Sequence, residues 1–109
     1  MKNEIPEVAE SDFKSRVLES PQPVIVEFGA EWCRPCKALE PVLMKLALEW
    51  EGKATLLQLD VDRAEQIIQT YSIFSVPTIM LFIKGQPVER LSGLQTEPRL
   101  RDKLGSHLG

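Results

Sequence analysis

Three short apolar runs punctuate the chain: VIVEF at 24–28, ATLLQLD at 54–60 and TIMLFI at 78–83. Each is rich in β-branched, leucine or aromatic residues and bounded by breakers or polar turns, the pattern of strands buried on both faces. Between the first two lies a stretch of a different period. Leu39, Val42, Leu43, Leu46, Ala47 and Trp50 recur at steps of three and four, so one helix over about 33–50 presents a continuous apolar face. Pro41 falls inside it and is expected to remove one backbone hydrogen bond and bend the axis. Strands that alternate with helices and end in a hairpin give a mixed sheet covered on both faces.

The remaining elements fit around that unit. Ser11 and Asp12 suit a helix start ahead of Phe13, Val17 and Leu18, and SPQP at 20–23 ends it. Asp62 and Glu65 read as a capping box for a short helix to about Tyr71. KGQ at 84–86 is a hairpin signal, after which VERLS returns as an alternating strand with Pro87 at an edge. Thr96 and Pro98 open a last helix with Leu100, Leu104 and Leu108 on one face. The expected fold is α/β: a three-layer α/β/α sandwich around a mixed sheet of four to five strands, with about four helices. At 109 residues, 43% of them hydrophobic, the chain is read as one domain over 1–109, with residues 1–7 as a loose polar start.

Charge narrows the function. The net charge is −3, and no long basic run offers a footprint for nucleic acid or an anionic membrane. No apolar run reaches the roughly 20 residues of a bilayer span, and the polar MKNEIPEVAE start lacks a signal core. A cytoplasmic location is expected.

The chemistry concentrates in Cys33 and Cys36, the two cysteines of the chain. Three roles fit their spacing: half of a metal site, a structural staple, or a redox switch. A zinc site needs about four ligands, and the one other Cys or His is the distant His107, so metal would require a bridged dimer. A staple closing four residues would constrain the unfolded chain little. For a switch, a pair one helical turn apart is near bonding distance, and the helix start favours a thiolate at Cys33. Cys33 is then the attacking sulfur and Cys36, one turn inward and more shielded, the resolving one.

AEWCRPCKALEPVL at 30–43, SVPTIMLFIKG at 75–85 and LSG at 91–93 together resemble the thioredoxin family, in order and over about Val8–Leu108. The resemblance implies the sandwich fold and reduction of protein disulfides through a reversible Cys33–Cys36 disulfide. Electrons would come from a thioredoxin reductase or similar donor. It implies no metal, no further cofactor, and a monomer that binds neither nucleic acid nor membrane. It further implies a cis Val76–Pro77 bond facing the cysteines, and a docking patch of Trp32, Val76, Pro77 and Gly93 beside Arg34 and Pro35. Glu27 stands where the family usually has a buried Asp, which makes it the candidate proton acceptor for Cys36. Gln58 replaces a usual Lys, Gly29 a usual Trp, and Arg34 a usual Gly. Those departures keep a second class open: a binding or chaperone-like adaptor with little net reductase activity.

Overall fold

The computed structural model describes residues 5–109. Strand β1 (Val24–Gly29) pairs in parallel with β2 (Thr55–Asp60) and antiparallel with β3 (Thr78–Ile83), and β4 (Gln86–Ser92) closes the order β2-β1-β3-β4. The parallel β1–β2 pair is joined by helix α1 (Arg34–Glu49), which falls where the change of period predicts a helix. Helix α2 (Glu65–Tyr71) and helix α3 (Glu97–Gly105) complete the regular elements.

Strand alternation sorts the core onto two faces. Ile25, Ile79 and Leu81 pack with Leu39, Leu43 and Leu46 of α1 and Leu100 and Leu104 of α3. On the opposite face, Val24, Val26, Phe28 and Phe82 pack with Phe13 and Val17 from the N-terminal segment, and with Ile67, Ile68 and Tyr71 from α2. The sheet therefore lies between two helical layers, with β1 and β3 buried throughout most of their length. Pro87 sits on edge strand β4, opposite Phe82 at an irregularity in the β3–β4 register, as an edge proline should.

Three expectations are corrected. Residues 5–7, read as loose, are tied down: Ile5 is buried, Val8 N–H donates to Gln58 O at 2.8 Å, and Gln58 N–H donates to Pro6 O at 2.8 Å. That contact covers part of the β2 edge, whose unpaired backbone groups would otherwise be open; residues 1–4 lie outside the described residues. The first helix is not regular. A 3₁₀ turn at Glu10–Asp12 runs into a wider π turn at Lys14–Leu18, because so short a segment follows its tertiary contacts rather than its own propensity. The Asp62–Glu65 box does not form. Asp60 caps the 3₁₀ turn Val61–Arg63 through Asp62 N–H at 2.9 Å, and the Ile67 N–H of α2 is satisfied by Glu10 Oε2 at 2.9 Å.

The β3–β4 hairpin turns at Lys84 and Gly85, both with positive φ (52° and 80°). A Cβ at Gly85 would lie 2.8 Å from the Leu18 carbonyl oxygen. Gly85→Ala is therefore expected to lower stability by about 1–3 kcal/mol in denaturant unfolding; an unchanged midpoint would show that the turn does not need glycine.

Candidate active site

Sheet register gathers the sequence-predicted residues at one end of the molecule. Thr78 begins β3 opposite Phe28 near the end of β1 and opposite Ser92 at the end of β4. The segments leaving that end carry Gly29 to Cys33, Val76–Pro77 and Gly93. The Val76–Pro77 bond is cis, as the resemblance implied. Gly93, at φ 83°, donates its N–H to Pro77 O at 2.8 Å, so the segments holding Pro77 and Gly93 are joined through their backbones.

Cys33 is the N-cap of α1, with extended backbone (φ −88°, ψ 105°), and Pro35 lies in the first turn. Its side chain is the capping acceptor: Cys36 N–H donates to Cys33 Sγ at 3.2 Å. Sulfur thus stands where a cap oxygen usually sits, at the positive end of a 16-residue helix. The two cysteines form a disulfide across a Cα–Cα separation of 5.3 Å. Cys36 was expected to be the more shielded, but both are buried to a similar degree, 3% and 5% exposed. The bond draws both sulfurs onto one turn, and Gly29 beside Cys36 has no side chain to cover its sulfur. Arg34 and Pro35 are exposed next to the pair.

Glu27 points inward. It is 1% exposed and lies on the α1 face of β1, paired in register with Gln58. Gln58 Nε2 donates to Glu27 Oε1 at 2.8 Å, while Oε2 has no hydrogen-bond partner. Burial pushes the carboxyl up to about 7, and the nearby Glu40 adds to the rise; the Gln58 hydrogen bond and the charge of Lys37 pull in the other direction. The longer side chain at this position is therefore held beneath the cysteines as a weak acid.

Trp32 is 67% exposed, and its indole N–H donates to Asp62 Oδ2 at 2.8 Å, which ties the ring to the 3₁₀ turn after β2. Asp62, read from local pattern as a helix cap, instead holds the Trp32 indole; that partner lies thirty residues away, beyond any local pattern. Phe74, 93% exposed just before the cis bond, and Leu94, exposed just after Gly93, are further exposed apolar side chains on these segments and carried no sequence signal of their own. Val76 is half-buried and Pro77 buried. His107 pairs with Glu89 at 3.1 Å, and no group of three or more potential metal ligands converges among the described residues. No helix among them is long and apolar enough to cross a membrane.

Comparison with known proteins agrees with this geometry. The family model described as Thioredoxin matches residues 4–106. The thioredoxins of Staphylococcus aureus strains Mu50, MW2 and N315 are each 42% identical over 104 residues, covering 95% of this chain and 98% of the relative. With a bonded CxxC pair at the head of α1 and that extent of match, the chain belongs to the thioredoxin family and is a protein thiol–disulfide oxidoreductase.

Proposed function

We propose that this protein reduces disulfides in other polypeptides by a two-thiol relay. The observation that carries the proposal is the Cys33 sulfur acting as the helix cap within bonding distance of Cys36. In the reduced protein, the Cys33 thiolate attacks one sulfur of a substrate disulfide. A Cys33–substrate disulfide forms and the other substrate sulfur leaves as a thiolate. Cys36 gives its proton to the Glu27 carboxylate and attacks the Cys33 sulfur, which expels the second substrate thiolate and leaves the Cys33–Cys36 disulfide. A reductase-type donor then returns two electrons and two protons.

Each neighbour has a part. The α1 N-terminus favours the Cys33 thiolate, and the exposed Arg34 guanidinium adds positive charge on the same turn. Pro35 stiffens the start of the helix. Trp32, Val76, Pro77 and Gly93 form the apolar docking surface, where the backbone of Val76 can pair with an extended substrate strand. The redox-active disulfide serves as the sole redox group, and the protein works as a monomeric domain over 1–109 in the cytoplasm, away from nucleic acid and membranes.

Insulin reduction with a small dithiol as electron source tests the reading. The wild-type protein is expected to accelerate precipitation of the insulin chains, and Cys33→Ser to abolish the acceleration. Undiminished acceleration by Cys33→Ser would refute the relay, and partner binding without any reduction by the wild type would favour the adaptor.

A further inference from the structure

A cavity of about 120 Å³ lies against the cysteine pair, between the ends of β1 and β2 and the start of α1. It has room for several waters, or for one molecule of about four non-hydrogen atoms. Among the described residues that line it, Cys36 is present and Cys33 is not, so the cavity meets the disulfide at the Cys36 end. Gly29 makes that approach possible. Its φ lies outside the left-handed region, so backbone conformation does not call for glycine there. A Cβ at this position would lie 3.2 Å from Cys36 Sγ and 3.6 Å from Glu27 Oε2. One point in space is therefore within reach of a sulfur and of a buried carboxylate oxygen that has no partner among the described residues. A buried acceptor left unpaired is costly, and it marks a place where a donor fits. The charges around the cavity are acidic on balance: Glu7, Glu31, Glu40 and Asp60 stand against Lys37 and Arg63. Such a field draws cations in and turns anions away.

We propose that this cavity admits a short aliphatic thiol carrying an amino group, which reduces the protein disulfide by attacking Cys36, so that small aminothiols supply electrons alongside a reductase-type donor. The donor thiolate attacks Cys36 Sγ. A bond forms between those two sulfurs, the Cys33–Cys36 bond breaks, and Cys33 leaves as the thiolate that the α1 N-terminus favours. A second donor thiolate attacks the first donor's sulfur, which forms the small disulfide and releases Cys36. Two small thiols are oxidised to one disulfide, the protein disulfide is reduced to two thiols, and the two protons lost by the donors are those the cysteines take up. Attack at the Cys36 end expels the sulfur of lower proton affinity, which is the faster of the two possible cleavages. The ammonium of the donor meets Glu27 Oε2, because the Gln58 amide already holds Oε1. At about pH 8 that carboxyl, pushed up to about 7 by burial, is largely ionised and offers a charged acceptor. The inference rests on the two-thiol relay in one respect, the assignment of Cys33 as the stabilised thiolate.

Three short thiols of equal length and different charge test the route: 2-aminoethanethiol, 2-mercaptoethanol and mercaptoacetate. Each reduces the oxidised protein at about pH 8, and each rate is divided by that thiol's rate with a small reference disulfide, which removes intrinsic reactivity. The aminothiol is expected to react about tenfold faster than mercaptoacetate, with mercaptoethanol between them. Early acid quench of the aminothiol reaction, read by fragment-ion mass spectrometry, should place the first adduct on Cys36. Gly29→Ala, whose methyl group takes the shared point, should slow the aminothiol about tenfold and move the first adduct to Cys33. Glu31→Lys/Glu40→Lys, which reverses charge beside the cavity, should bring the corrected rates of the two charged thiols within about twofold of each other. First adducts on Cys33 in the wild type, equal corrected rates for the charged thiols, or an unchanged aminothiol rate in Gly29→Ala would each overturn the inference. The insulin assay keeps this apart from failure of the relay. A protein that reduces insulin through Cys33 but shows no order by charge has lost the cavity route alone, whereas insulin reduction that survives Cys33→Ser removes the assignment on which the route stands.

Discussion

Glu27→Gln is expected to stabilise the oxidised protein at about pH 8 by on the order of 3 kcal/mol, and to change it little at about pH 4. The sign follows from the raised carboxyl. Its folded-state value of about 7 lies above the ordinary 4.5 because burial penalises the charge. The folded state thus holds its proton more tightly than the unfolded chain does. That advantage is fully present below the ordinary value, falls away as pH rises through about 7, and leaves a buried charge above it. Glutamine keeps the shape and can accept the Gln58 hydrogen bond without the charge. Denaturant unfolding of both proteins from about pH 4 to 8 should give a falling curve for the wild type and a flatter one for the variant. Parallel curves would mean that Glu27 is not held as a weak acid.

Cys36→Ser is expected to stop the reaction halfway. Serine fits the site but its hydroxyl does not attack sulfur, so release of the substrate from Cys33 should fall by roughly three orders of magnitude. Incubated with reduced-and-quenched extracts or with insulin, the variant should accumulate a covalent partner that intact-mass measurement places on Cys33. Rapid turnover without such a species would reverse the assigned order of the cysteines.

The parts of this molecule legible in the sequence are those set by local period and by residues whose chemistry dictates their place. VIVEF and TIMLFI became the central strands because their continuous apolar character leaves no face for solvent. The stripe from Leu39 to Trp50 became α1 because its spacing admits one buried side. Glu27 could be placed inside because apolar neighbours flank it on both sides in the chain. What stayed hidden depends on partners distant in sequence. Asp62 carries every local mark of a helix cap, yet it receives the Trp32 indole, and Glu10 caps α2 from more than fifty residues away. The docking of residues 5–7 on β2 likewise needs the finished sheet edge. The similar burial of the two cysteines needs the bond itself and the missing side chain at Gly29. The same glycine could be seen in the sequence as a departure from the family, but the cavity it leaves between a sulfur and an unpartnered carboxylate oxygen exists only in three dimensions.

The central claim is that Cys33 is held as a thiolate at the head of α1. The most direct measurement is the rate of iodoacetamide modification of the reduced protein across pH, with the modified residue identified by mass spectrometry. Cys33 should react first and titrate below the ordinary cysteine range, and Arg34→Gly should move it upward. Preferential modification of Cys36, or a Cys33 that titrates at or above the usual value, would contradict the account.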